Sequence, residues 1–323
     1  MRLVSFRGSN GDARSGAVIG QDGDERVVDL AAASGGRIGS GDLLTLLVAG
    51  QAALEEAASL AGSLAESSAG AVPLRSVELL APIPRPGKIL ALAGNYQEHI
   101  AEGGGALVDK SVIVPKLFIK PATSVLAPGK ALTLPTISST VDWELELGAV
   151  IGRTARHVPV ERALDYVGGY TIVNDVSART ADWGIEGRNP TEWDGFFDWL
   201  NGKWPDGFCP MGPWLVTPDE IPDPQDVRLR LSVNGTVYQD GSSSDMIFTV
   251  AETIAFASRF MTLEPGDVFS TGTLSGVGDA TGTYLKPGDV MEGWIDRIGT
   301  LVTPVEAHEE VDRVVAATGA ASG

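Results

Sequence analysis

Asp142, Glu144 and Glu146 alternate strictly with Trp143, Leu145 and Leu147, and an apolar run, Gly148, Ala149, Val150 and Ile151, follows. Side chains on a strand point to opposite faces in turn, so a strand here carries the three acids on one face and the three apolar residues on the other. Same-face neighbours lie roughly 7 Å apart at the backbone, close enough for two long carboxylates to converge on one hard cation. An edge strand with a solvated acidic face produces the same pattern, and both readings stand at this point. Residues 1–32 predict short strands about a turn at 21–24. Leu43, Leu44, Leu46 and Leu47, then the Ala-, Glu- and Leu-rich stretch from Leu54 to about Leu64, have helical spacing. Pro82, Pro84, Pro86 and Gly87 interrupt both periodicities and mark a boundary. Beyond it, residues 88–94 read as a buried strand that turns at Asn95 into a short helix. From 112 to about 305, short apolar runs alternate with turn residues, with helices near 160–167 and 248–260. The pattern predicts a small N-terminal cap (1–85), a main domain (86–310) and a flexible tail (311–323). The fold class is β-rich mixed α/β, a rolled or barrel-like set of sheets with flanking helices rather than a doubly wound parallel sheet.

Composition narrows the partners. With 323 residues, 43% of them hydrophobic, the chain can bury a substantial core. A formal net charge of −18 argues against nucleic acid or an anionic membrane surface, so an anionic substrate needs a local cationic pocket. The single cysteine, Cys209, excludes an intrachain disulfide and fits a reducing compartment. The first residues are too short in apolar length for a signal peptide, and no later segment approaches the ~20 apolar residues of a membrane span. The expectation is a cytoplasmic protein.

Three histidines occur, of which His157 and His308 sit in polar surroundings and read as structural or surface residues. His99 follows the buried strand, and Glu102 lies three residues on, so on a helix the two share a face and can hydrogen-bond. A carboxylate beside an imidazole fixes its tautomer and raises its basicity, as a general base acting on water requires; a plain surface pair is the alternative. Asp175 ends an apolar strand, either as a metal ligand or as a helix cap, and Arg179 four residues on is placed as if on the first turn of a helix. Lys120 and Lys203 stand beside apolar or aromatic neighbours and, if buried, require anionic partners. A nucleophile elbow, a phosphate-binding loop and a paired-histidine zinc helix are all absent from the sequence.

Taken together, these segments resemble the fumarylacetoacetate hydrolase family from Lys88 to about Val305. Asn95, Tyr96, His99 and Glu102 match its dyad segment, Glu144 and Glu146 its metal strand, and Asn174, Asp175 and Arg179 its third ligand and substrate arginine. Lys203, Asn234, Gly235, Gln239, Asp267 and the Thr271-Gly272-Thr273 loop complete the order. The resemblance implies that Glu144, Glu146 and Asp175 bind Mg²⁺ or Mn²⁺ and that His99, Glu102 and Lys203 are catalytic. It further implies that Arg179, Lys120, Tyr96, Gln239 and Thr273 contact a small anionic keto acid, and that the protein is a homodimer. The implied activity is metal-dependent hydrolysis of a carbon–carbon bond in a 1,3-diketo acid, with water activated by His99 and Glu102. The same site admits an isomerase, an oxaloacetate-type decarboxylase or a sugar-acid dehydratase, and a non-catalytic carboxylate binder is a further alternative.

The chain departs from the family pattern at Thr180 and Asp182, where an acid and an amide are usual, and at Leu274, where proline is common. Its stretch 182–200 is longer than usual and concentrates Trp183, Trp193, Phe196, Phe197 and Trp199. That stretch reads as a lid or a dimer contact.

Overall fold

A computed structural model describes residues 1–21, 23–65 and 70–308. Asp22 of the expected turn and the expected tail at 311–323 lie outside the described residues.

One open sheet runs through the molecule. Its central strands, Cys209–Val216, Val167–Asn174 and Leu145–Ile151, are buried along their whole length and pair antiparallel. That explains their near-continuous apolar sequence, since a strand covered on both faces shows no alternation. Val268–Ser270 pairs antiparallel with Leu145–Ile151 and parallel with Ile89–Leu92, which in turn pairs with Leu117–Lys120 at one end. At the other end Arg2–Arg7, Ala13–Ile19 and Arg26–Asp29 continue the same sheet, because Arg2 and Leu3 pair with Val216 and Leu215. The N-terminal segment therefore shares the main sheet while keeping its own helices, Leu43–Ala49 and Gln51–Ala65. Leu3, Leu43, Leu46 and Leu47 pack in one core cluster with Ile89, Val150, Val173 and Leu215. A second sheet of five strands includes Arg228–Val233, Thr236–Ser242, Val290–Ile295 and Gly299–Glu306. The β-rich mixed α/β class with sheets and flanking helices is as expected; neither large sheet closes, so of the rolled or barrel-like alternatives no closed barrel forms among the described residues.

The alternating acidic segment is bent. Val141–Asp142 pairs with Ser177–Ala178, whereas Leu145–Ile151 joins the main sheet, and Trp143 and Glu144 form the corner between them. The expected helices appear as a 3₁₀ helix at Val160–Tyr166 and an α-helix at Val250–Ser258. Arg179 is not on a helix, because the two residues before it are strand.

Candidate active site

The acidic face is turned inward. Asp142, Glu144, Glu146 and Asp175 are each at most 5% exposed, which removes the solvated-face reading. Burying four carboxylates is costly unless each is paired, and the chain supplies the cations. Lys203 Nζ donates to Glu144 Oε2 at 2.7 Å and to Asp175 Oδ2 at 2.8 Å. Arg179 donates from Nη2 to Glu144 Oε1 at 2.7 Å and from Nε to Asp142 Oδ1 at 2.8 Å. Lys120 pairs with Asp175 Oδ1 from behind and reaches the Val176 carbonyl at 3.3 Å.

Glu146 differs from the other three. One oxygen, Oε2, accepts from Ser270 Oγ at 2.6 Å and from the Gly272 amide at 2.7 Å; the other, Oε1, is buried with no hydrogen-bond partner. Ligand oxygens of Glu144, Glu146 and Asp175 lie within 4.8 Å of one another. Three buried carboxylates with an orphaned oxygen form an all-oxygen donor set for a hard divalent cation, and the residues fit Mg²⁺ or Mn²⁺.

Electrostatics separate the two glutamates. Burial raises the Glu144 carboxyl, but the charges of Lys203 and Arg179 outweigh it and hold the group below the ordinary carboxylate range. Burial also raises Glu146, and the neighbouring Asp175 and Glu144 charges add to the rise, so it sits well above that range. For Asp142 burial wins over Arg179, and its carboxyl is pushed up to about 6. Lys203 is opposed by burial yet raised overall by Asp175 and Glu144, so it stays an ammonium ion at neutral pH.

The dyad stands on the short helix Gln97–Glu102. His99 Nδ1 lies 2.7 Å from Glu102 Oε1, and Glu102 Oε2 accepts from the Gly276 amide at 2.7 Å. A carboxylate held at Nδ1 leaves Nε2 as the ring's acceptor. A cavity of about 250 Å³ joins the parts, with His99, Glu144, Arg179, Lys203 and Thr273 in its wall.

Other residues expected at the substrate stand further back. Gln239 accepts from the Leu145 amide at 2.9 Å and donates to Thr273 Oγ1 and the Leu274 carbonyl, both at 2.8 Å, so its amide is spent on holding loops. Tyr96 is 2% exposed with an unpartnered hydroxyl, and burial followed by the Glu146 charge pushes that hydroxyl's pKa up. Lys120 faces Asp175 and is itself 1% exposed. Asp182 accepts from the Gly184 amide at 2.8 Å within its own loop.

Three groups of residues had no role assigned to them from sequence. Ser270 and Gly272 hold Glu146, for which a small residue flanked by hydroxyls in a tight loop was the available signal. Asn95 ties the dyad helix to that loop by donating to the Thr271 carbonyl at 2.7 Å and to the Phe248 carbonyl at 2.9 Å. Phe118 and Trp199 also line the cavity.

Residues 88–306 match the model of the fumarylacetoacetate (FAA) hydrolase C-terminal family. The chain belongs to that family. Within it, the chain is 44% identical over 222 residues to a 2,4-didehydro-3-deoxy-L-rhamnonate hydrolase from Sphingomonas sp. (strain SKA58), covering 68% of this chain and 73% of the relative. It is 38% identical over 310 residues to oxaloacetate tautomerase fahd2, mitochondrial, from Xenopus laevis, covering 94% and 90%. A putative HpcE protein from Mycobacterium smegmatis shares the fold with a TM-score of 0.75 and 32% identity, over 96% of this chain and 100% of that one. Maleylpyruvate hydrolase from Sphingobium sp. SYK-6, solved with manganese(II) and pyruvate, gives 0.70 and 29% over 96% and 100%. The fumarylacetoacetate hydrolase family thus joins hydrolases, isomerases and a tautomerase on one fold, and its members are enzymes acting on small organic acids.

Proposed function

We propose that this protein is a divalent-metal-dependent hydrolase that cleaves the carbon–carbon bond of a 1,3-diketo acid of the acylpyruvate type. The observation that carries the reading is that Glu144 of the buried Glu144, Glu146 and Asp175 cluster, His99 of the His99–Glu102 dyad and Lys203 line one cavity. When bound, Mg²⁺ or Mn²⁺ supplies Lewis acidity toward substrate oxygens and fixes their position. His99, its tautomer set by Glu102, takes a proton from water at Nε2 as the water oxygen bonds to the distal carbonyl carbon. The bond from that carbon to the methylene then breaks. Its electron pair passes to the pyruvyl half as an enolate, and the distal half leaves as a carboxylic acid. Lys203, held as a cation, donates hydrogen bonds to the enolate oxygen, and the proton on His99 returns to carbon to give pyruvate.

Similarity over nearly the full length to an oxaloacetate tautomerase supports a second reading, in which His99 only relays a proton between enol and keto forms. Loss of the enol absorbance of a short acylpyruvate, with enzymatic detection of pyruvate, separates the two. Chelator-treated protein should be inactive, added Mg²⁺ or Mn²⁺ should restore pyruvate release, and His99→Ala should lower kcat by 10²-fold or more. Absorbance change without pyruvate would favour the tautomerase; no change on any acylpyruvate or oxaloacetate would sink both.

A further inference from the structure

The cavity is lined by two unlike kinds of side chain. Its lining combines the polar and charged Glu144, Arg179, Lys203 and Thr273 with the apolar Leu92, Phe118 and Trp199. Phe118 and Trp199 meet edge to face, with ring centroids 5.0 Å apart and planes at 69°. The Lys203 ammonium lies 5.6 Å from the Phe118 centroid and 5.8 Å from that of Trp199, so the aromatic side chains adjoin that cation.

Trp199 is held in place by its helix, Glu192–Asn201. Thr191 and Asp194 form a capping box at its start, and Asp198 accepts two hydrogen bonds from Arg188, at 2.6 and 2.9 Å, and one from Trp183 Nε1 at 2.8 Å. This helix comes from the long aromatic stretch that sets the chain apart from the family pattern. Immediately after it, Gly202 leads into Lys203; a Cβ at Gly202 would lie 2.2 Å from the Ala178 carbonyl oxygen, so the helix end is pressed against the strand beside the acid cluster.

Charge limits the ligand as well. Asp142, Glu144, Glu146 and Asp175 face Lys120, Arg179 and Lys203, so a divalent ion leaves the ionised set with a single positive charge. A second carboxylate on the substrate's far end would meet Phe118 and Trp199, beside which the nearest cation, Lys203, is already paired with Glu144 and Asp175, and its desolvation would go uncompensated.

Resting on the proposed reaction, we propose that Phe118 and Trp199 determine specificity by receiving the distal substituent of the oxo acid, and that this substituent is apolar rather than carboxylated or polyhydroxylated. The two aromatic side chains bury the methylene groups of that substituent, while the charged side chains of the lining orient the head.

The test is calorimetric binding to the metal-loaded full chain of three 2-oxo acids that lack the scissile diketone: pyruvate, 2-oxohexanoate and 2-oxoadipate. The wild type should bind 2-oxohexanoate at least about tenfold more tightly than pyruvate, and 2-oxoadipate, equal in length but ending in a carboxylate, should lose that gain. In Trp199→Ala and in Phe118→Leu the ratio of the 2-oxohexanoate and pyruvate dissociation constants should fall towards unity. A wild-type ratio near one, tighter 2-oxoadipate, or a high ratio that both variants retain would overturn the assignment while leaving the proposed hydrolase intact. Failure of all three acids to bind metal-loaded protein would instead remove the oxo-acid site on which both readings rest.

Discussion

At the scale of single residues, Glu146 decides how the acid cluster takes up a cation. Its carboxyl is held well above the ordinary range by burial and by the Asp175 and Glu144 charges, whereas Lys203 and Arg179 keep Glu144 low against the opposing effect of burial. Glu146 must therefore lose a proton when it ligates, while Glu144 has none to lose. Metal affinity should rise with pH until Glu146 is ionised, and calorimetry in buffers of different ionisation enthalpy should show proton release. Glu146→Gln should abolish the release and weaken Mn²⁺ binding by about 10²-fold or more. The folded protein without metal follows the opposite trend. A carboxyl raised on folding contributes its stability below the unfolded value and loses it as pH climbs through the folded one, so denaturant midpoints of chelated protein should decline with rising pH. Sequence alternation anticipated that Glu144 and Glu146 would converge, and their oxygens do meet, but through the corner at Trp143 and Glu144 rather than along one strand face. It could not say that Asp142 braces Arg179 or that Gln239 spends its amide on Leu145, since those partners come from segments 37 and 94 residues away.

At the scale of elements, the loop holding Glu146 is pressed against the dyad. Gly272 has φ +91°, and a Cβ there would lie 2.5 Å from Asn95 Cβ, so only glycine lets its amide approach Glu146 beneath the turn that precedes His99. Gly272→Ala should cost roughly 2–4 kcal/mol in urea unfolding, from left-handed strain plus overpacking. Gly104→Ala, at φ +80° in open space, should cost about 1 kcal/mol. The dyad helix and the Ile89–Leu92 strand were legible because short-range rules determine them. The corner at Trp143 and Glu144 was not, because the two halves of that segment pair with Ser177 and with Asn174, and no local propensity records a change of partner. The helix Glu192–Asn201 was also hidden. Gly195 and seven aromatic or acidic residues blur its periodicity, although the Thr191 and Asp194 spacing carried a capping-box signal.

At the scale of the whole molecule, one sheet joins the N-terminal strands to those that carry the site. The return of Arg2 and Leu3 to Val216 and Leu215 was not readable from the sequence, because it spans most of the chain. Deleting residues 1–30 should expose the edge of Cys209–Val216 and its apolar face, giving aggregation on expression and, in any soluble fraction, a melting temperature lower by more than about 10 °C. Full-length protein should unfold in one calorimetric transition. The same pairing has a bearing on synthesis. Strand Arg2–Arg7 leaves the ribosome about 210 residues before its partner on one side, so through most of translation its buried positions Leu3, Val4 and Phe6 wait unpaired beyond the Ala13–Ile19 hairpin. At five to twenty residues per second that wait is on the order of 10–40 s, long enough to make the nascent chain a client for hydrophobic-binding chaperones.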